Sequence, residues 1–508
     1  MSKLPGSSGI SLLSDKSLEF YRDPVAFYER RIQKHGSRIF ETRLLNKSTS
    51  FVCSVQGMKE LLCEKSLIFQ KDPTDIMHHL YGDNIVTANG EEACLLRLSL
   101  THLFTGKCLQ SSADYVNSVC ENCLKGLDKS VGLLSIYPLF KQLGTELVLG
   151  LFLNVRAQDT PDVFREISQL CTQHWHGLIS APLNVKVPLW SSGFCTAMEA
   201  KNKLMDIIHD KLDCEKQGFV ADMKALPLPD ESCAPQHLLL FISALIPKAL
   251  ASLLTSFTLA LSGPSREGVR NRARMEPEYF SHVLLEVQRL WPPFIGGRRI
   301  ANKDTTLGKF HISQGSTAIY VSHAVHRDPE VFHQPEEFLP ERWSGSSLET
   351  GSRQAVAMEA GPLIVSANGG SPFIIDRTVC SAEAGVVEMR DWGGRRAVAL
   401  RGQEGLLGRF LWAGVGAGVN AGQEGLLCCQ GNGQRNCIGS QLNQLFLEVA
   451  CGYLLKHYDW DLSPASQDLQ YKWLPISRPV LPPTVRFRAQ DRTSPHPPEG
   501  GSCEPGGQ

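Results

Sequence analysis

The sequence has no surplus of charge of either sign. Its 51 lysines and arginines against 52 aspartates and glutamates leave a net charge of −1, which excludes a nucleic-acid binder relying on an overall basic field. Cysteine is sparse as well. Sixteen in 508 residues, without a repeating spacing, exclude a disulfide scaffold and point to reduced, buried thiols in a reducing compartment. An apolar leader is also missing: residues 1–14 are polar and rich in Gly and Ser, unlike a signal peptide. No G-x-x-x-x-G-K-[ST], H-E-x-x-H or G-x-S-x-G run occurs, so the chemistries those runs carry have no foothold. Cys120-Glu121-Asn122-Cys123 lacks a second pair. His78-His79 and His174-Trp175-His176 lack a third ligand at sensible spacing, so loop or core positions are expected for them.

What is present is a chain with 42% hydrophobic residues, ample for one large domain or several smaller ones. Strand-like character shows at Phe51–Val55, Thr317–Ser322 and Val485–Arg488, and amphipathic helical spacing at Gly57–Cys63, Ser135–Leu153, Tyr279–Leu290 and Cys437–Tyr458. Residues 159–263 are mostly helical in pattern, broken by Pro-containing loops at Ala181–Pro188 and Ala225–Pro235. The most apolar run, Leu238–Gly263, would reach ~39 Å as one helix. Pro247 and Lys248 inside it favour a core helix over a membrane span, with Lys248 expected to snorkel away from the core.

One segment differs from its surroundings. Ser344–Gln430 holds 16 of the 44 glycines and no Lys, His or Tyr, and it repeats GQEGLL at Gly402–Leu407 and Gly422–Leu427. No sustained helical or strand period crosses it, and so long a loop does not belong inside a compact domain. It reads as an insertion foreign to the domain, of the kind a mis-joined gene produces. Gly416–Ala421 matches a dinucleotide fingerprint in composition, but neither a βαβ context nor a following acid supports it. The expected organisation is one domain over 1–343 and 431–489, the insertion 344–430, and a disordered Pro/Gly/Ser-rich tail over 490–508.

Chemistry concentrates just beyond the insertion, at Gly431-Asn432-Gly433-Gln434-Arg435-Asn436-Cys437-Ile438-Gly439. Glycines there let a loop pass close to a flat ligand. Cys437 begins an amphipathic helix, whose N-terminal N–H groups and dipole favour a thiolate. Arg435 is placed to meet an anionic group of the same ligand. A bare G-x-C-x-G would be no more than a buried Cys in a turn; G-x-G-x-R-x-C-x-G is far more specific.

These residues resemble the haem-binding loop of the cytochrome P450 family. Two more motifs follow its order: Glu286-Val287-Gln288-Arg289 resembles E-x-x-R, and Phe338-Leu339-Pro340-Glu341-Arg342-Trp343 resembles PERF. The resemblance implies a mainly α (α+β) fold, with a large helical part and a smaller β-rich part. It implies haem b (iron protoporphyrin IX) with Cys437 as its axial metal ligand. Gly433, Arg435 and Gly439 would join it in the haem loop, Arg97 and Arg299 would meet the propionates, and Glu286, Arg289 and Arg342 would form a structural ion network. Pro292–Arg299 and Leu474–Arg478 resemble substrate-contacting segments, and the P-P-x-x-G-G wording is closest to the retinoate- and sterol-metabolising branch.

The implied activity is hydroxylation of a lipophilic small molecule (sterol, retinoid or fatty-acid-like) with O2 and electrons from an NADPH-dependent reductase or a ferredoxin. The place would be intracellular, at the endoplasmic-reticulum surface or in the cytoplasm, with peripheral membrane contact and no nucleic acid. Departures from the family pattern fall at Ala93, where it has Trp, at Gln430, where it has Phe, in the 95-position step from Arg342 to Cys437, and at Pro247–Lys248, where it has an acid and an alcohol. Lys248 and Ser252 are accordingly the candidates for distal proton handling. Two alternatives stay open: an O2-independent isomerase or dehydratase of peroxides, and a catalytically inactive haem or lipid binder.

Overall fold

The computed structural model describes residues 2–11, 13–72, 75–129, 133–179, 186–187, 190–244, 246–344 and 437–490, together with four short strands between 363 and 400. Helices carry most of the core. Ile136–Leu153, Ile246–Ala260, Pro277–Leu290 and Ser440–His457 present Leu, Val and Phe at helical spacing and bury them against one another. The closest approach is made by a glycine: a Cβ on Gly144 would lie 2.7 Å from the carbonyl oxygen of Pro247, so only hydrogen fits where these two helices cross.

The smaller β part is a five-stranded sheet in the order Ile39–Leu44, Lys47–Val52, Thr317–Val321, Gly296–Ala301, Phe69–Lys71. The first two strands form an antiparallel hairpin, and Thr317–Val321 runs parallel to the second in the register Ile319 to Phe51. A separate three-stranded sheet joins Tyr458–Leu462, Thr484–Ala489 and Leu134–Ser135. Strand character at Phe51 ends earlier than the β-branched run suggests. The Ser54 hydroxyl accepts from the Gly57 N–H at 3.2 Å and caps a helix from Val55, so the chain turns helical where extended backbone was expected.

The long apolar run departs further from expectation. It is two helices, Cys233–Ser243 and Ile246–Ala260, with Ala244 held at φ −80°, ψ −102° between them. Proline explains the break. Pro247 has no N–H to give the Ser243 carbonyl four residues back, so it sits in the first turn of a new helix, where that N–H is not needed. By length and composition Cys233–Ala260 and Ile136–Leu153 could each cross a membrane, but 94% of the apolar 18-residue window in the former is buried inside the fold.

Most of the segment 344–430 and the tail from 491 lie outside the described residues. Within the segment, Leu363–Val365 pairs antiparallel with Phe373–Ile375, and Val386–Arg390 with Arg396–Leu400. Strands of three and five residues are too short to leave a period legible in the sequence.

One ionic knot ties the helical part to the turns preceding the segment. Arg289 Nη2 and Nε donate to Glu286 Oε1 and Oε2 at 2.9 Å each, one helical turn away and with both side chains fully buried. Arg342 Nε and the Leu339 N–H also reach Oε1, at 3.0 and 2.9 Å, and the Trp343 indole N–H reaches Oε2 at 3.0 Å. Arg289 Nη1 and Nη2 in turn hold the carbonyls of His326, Pro335 and Glu337. Removing one partner leaves a buried charge uncompensated, which costs about 3–5 kcal/mol. Glu286→Ala is therefore expected to lose stability of that order in urea unfolding; a loss under about 1 kcal/mol would show that the knot is dispensable.

Candidate active site

Cys437 lies two residues before Gly439, which is the N-cap of helix Ser440–His457. It is accessible to solvent, yet enough protein surrounds it that burial pushes its thiol up, while the Gly439 N–H bonded to the sulfur and the charge of Arg97 pull it down. Burial outweighs them in the free protein, so the thiol stands above its ordinary value; among the described residues the two groups that work toward a thiolate are one on its own helix terminus and one on helix Gly90–Thr101. A Cβ on Gly439 would stand 3.9 Å from both Cys437 Sγ and Phe104 Cδ1, adding a wall beside the sulfur. A cysteine with a bare glycine beside its sulfur and a backbone N–H bonded to that sulfur is a donor set that would suit a thiolate ligand of a flat macrocycle. Gly433 and Arg435 lie outside the described residues.

The two arginines of strand Gly296–Ala301 have opposite surroundings because side chains alternate along a strand. Arg298 pairs with Asp72 at 3.0 Å and reaches Thr317 Oγ1 at 3.4 Å. Arg299 donates to the Arg298 carbonyl at 2.8 Å, with its guanidinium 5.4 Å from the Tyr320 ring. Among the described residues no carboxylate stands within ion-pair distance of Arg299. Of the pair, Arg299 is the one whose charge is available to an external anion.

On the helix break, Lys248 does not snorkel. It is 8% exposed, and its Nζ donates to the carbonyls of Ser243 and Ala244 at 3.2 and 3.3 Å, 4.5 Å from the centre of the Trp175 ring. The Ser243 oxygen is the one Pro247 leaves without its helical donor, so the ammonium caps the defect created by its own neighbour. Burial lowers Lys248 to about 7. Beside it His174, whose burial lowers it to about 4, bonds Ser243 Oγ at 2.8 Å and the Leu80 carbonyl at 2.9 Å, as a core histidine.

One turn on, Ser252 Oγ meets Ser477 Oγ at 2.9 Å, and the Ser477 N–H reaches the Pro293 carbonyl at 3.0 Å. The structure therefore joins three stretches distant in sequence: Ser252, Leu474–Arg478 and Pro292–Arg299. Ser256 Oγ similarly meets Tyr471 OH at 3.0 Å, while Thr255 Oγ1 is buried without a hydrogen-bond partner among the described residues. Sequence reasoning missed Trp175 and Tyr471 and gave no role to Trp343, the last letter of PERF; Ser477 lies in the Leu474–Arg478 turn already singled out, though its pairing with Ser252 was not foreseen. A motif search carries no signal for Tyr471.

The cytochrome P450 family model matches residues 260–358. Cytochrome P450 120 of Synechocystis sp. is 27% identical over 374 residues, covering 68% of this chain and 81% of that protein. The β-amyrin 6-β-monooxygenase of Solanum lycopersicum is 24% identical over 379 residues, covering 68% and 78%. Among solved structures, retinoic acid-bound cyanobacterial CYP120A1 superposes with a TM-score of 0.70 at 22% identity, over 96% of this chain and 100% of that one. The shared fold is the mainly helical one with a smaller β part.

Lys248 has a measurable signature. A lysine lowered to about 7 in the folded protein and near 10.4 in the free chain costs stability at and below neutral pH, and the cost fades as pH rises toward the upper value. Lys248→Met removes that titration. Wild-type urea midpoints should gain on the variant's between about pH 7 and 10; parallel midpoints across that range would mean Lys248 titrates normally.

Proposed function

The chain belongs to the cytochrome P450 family, and from that premise we propose a haem-thiolate monooxygenase that hydroxylates a lipophilic small molecule, with Cys437 as the axial ligand of haem b. The observation that carries the reading is the Cys437 sulfur, bonded by the Gly439 N–H and facing the Arg97 charge at the start of helix Ser440–His457. When bound, the haem supplies O2 activation, with electron density from the thiolate favouring O–O cleavage. What the protein supplies is placement. Gly439 would leave room beside the sulfur, and Arg97 and Arg299, with Arg435 and Gly433 of the sequence motif, would be the residues that hold the propionates and the loop.

On the distal side Ser252 and Lys248 are the proton-handling groups. Ser252 shares its hydroxyl proton with Ser477, so a proton given up there has a second hydroxyl behind it. Substrate then lies among Ser252, the Leu474–Arg478 turn and the Pro292–Arg299 segment. The likeness to a retinoic acid-bound structure and to β-amyrin monooxygenases supports a retinoid- or triterpene-sized apolar substrate. The chain has no flavin- or dinucleotide-binding motif, so a separate reductase or ferredoxin delivers the electrons. Peripheral attachment to the endoplasmic-reticulum surface suits so apolar a substrate.

Pro247 and Lys248, standing where the family has an acid and an alcohol, favour a second reading: an O2-independent isomerase of peroxides. The two separate cleanly. Wild-type protein reconstituted with haem is expected to give a thiolate-type reduced CO band that Cys437→Ala abolishes; a band that survives the substitution sinks both readings. NADPH consumption with a reductase, coupled to hydroxylated product, then supports the monooxygenase. Conversion of a lipid hydroperoxide without reductant supports the isomerase instead.

A further inference from the structure

Among the described residues three lysine or arginine side chains are buried, and two of them have a carboxylate beside them. Arg289 is 2.9 Å from Glu286 and Arg270 is 3.2 Å from Asp459. Lys248 has none. Its charge is met only by carbonyl dipoles, at 3.2 and 3.3 Å, and by the face of Trp175 at 4.5 Å. Those bonds sit at the long end of the range, and the sources are partial charges. A full positive charge in such apolar surroundings is stabilised best by a full negative one that comes in desolvated with it.

Its location matters as much as its charge. Lys248 stands one helical turn before Ser252, and Ser252 is joined through Ser477 to Pro293. The cation therefore lies at the edge of the three stretches given to substrate above, on which the inference rests. We infer that Lys248 is a specificity-determining anchor, and that the substrate is an apolar carboxylic acid whose carboxylate pairs with the ammonium at the helix break beside Trp175. An alcohol, aldehyde or ester of the same skeleton would fill the same space but leave the buried ammonium without a counter-ion. A site built around a buried polar group discriminates strongly against analogues that lack its partner.

The pairing has a defined pH window. Around the ammonium stand Cys171, His174 and His176 on helix Pro161–His176, and Lys141 on helix Ile136–Leu153; the Cys233–Ser243 helix offers its terminal carbonyls. Burial pushes Cys171 up to about 12 and His174 down to about 4, so both stay neutral at intermediate pH. Burial also lowers His176 and Lys141, and neither supplies negative charge. The preference for an acid over its alcohol should therefore be greatest near pH 6 and fall as Lys248 loses its proton above about 7.

The test uses the full-length haem-loaded protein and matched pairs of probes: oleic acid with oleyl alcohol, retinoic acid with retinol, and oleanolic acid with erythrodiol. Binding is read by equilibrium dialysis at pH 6 and pH 9. Wild type is expected to bind at least one acid about 10- to 100-fold tighter than its alcohol at pH 6, with the ratio shrinking at pH 9. Lys248→Met should bring that ratio near one, chiefly by weakening acid binding, and Lys248→Arg should restore it. The proposal is overturned if no acid binds, if acids and alcohols bind alike, or if the methionine variant keeps the preference. Should that variant not fold, the arginine variant and the wild-type pH series decide the matter alone. A reduced CO spectrum on the same samples separates the two levels. A thiolate band without acid preference sinks only the anchor, whereas its absence sinks the haem-thiolate reading whatever the probes do.

Discussion

Glu286 is where the architecture is tied. Its carboxylate oxygens accept from Arg289 a turn away, from Arg342 and Trp343 some fifty-six and fifty-seven residues on, and from the Leu339 backbone. Those hydrogen bonds replace the water the buried carboxylate has lost. The consequence is positional. The turns that lead out of the domain toward Cys437 are fixed against helix Pro277–Leu290, and the strand bearing Arg298 and Arg299 starts only a few residues beyond that helix.

A second defect-and-repair pair organises the opposite side. Pro247 breaks the long apolar helix and frees a carbonyl, and Lys248 caps it with a side chain that has nowhere else to go. Neither residue makes sense alone: proline without the cap leaves an unsatisfied buried oxygen, and lysine without the break is a buried charge lacking acceptors. Gly144 completes the arrangement by letting the neighbouring helix lie against the Pro247 backbone.

Much of this was legible before any coordinates. The helices around Tyr279–Leu290 and Cys437–Tyr458, the strand at Thr317 and the ordered motifs emerge from periodicity and spacing, since those features are local or nearly so. The helix break was half legible. Pro247 announced a kink, but the apolar run on both sides masked a change of direction that only tertiary packing decides. Lys248 was misjudged for the same reason: snorkelling assumes a nearby surface, and the surrounding helices Ile136–Leu153 and Pro161–His176 remove it. Contacts such as Ser252 with Ser477 join residues over two hundred positions apart and leave no trace in a single sequence. Trp343 as a donor to Glu286 belongs to the same class.

The long segment between Trp343 and Cys437 has a consequence in chain statistics. Its first anchor is an indole bonded to a buried carboxylate, and its second is the turn that opens helix Ser440–His457. Closing a loop between two fixed ends costs free energy that grows only with the logarithm of its length, about 0.6 kcal/mol for each doubling. Lengthening such a connection therefore costs the folded domain little, provided its two ends are firmly moored, and the knot at Glu286 is one of the moorings.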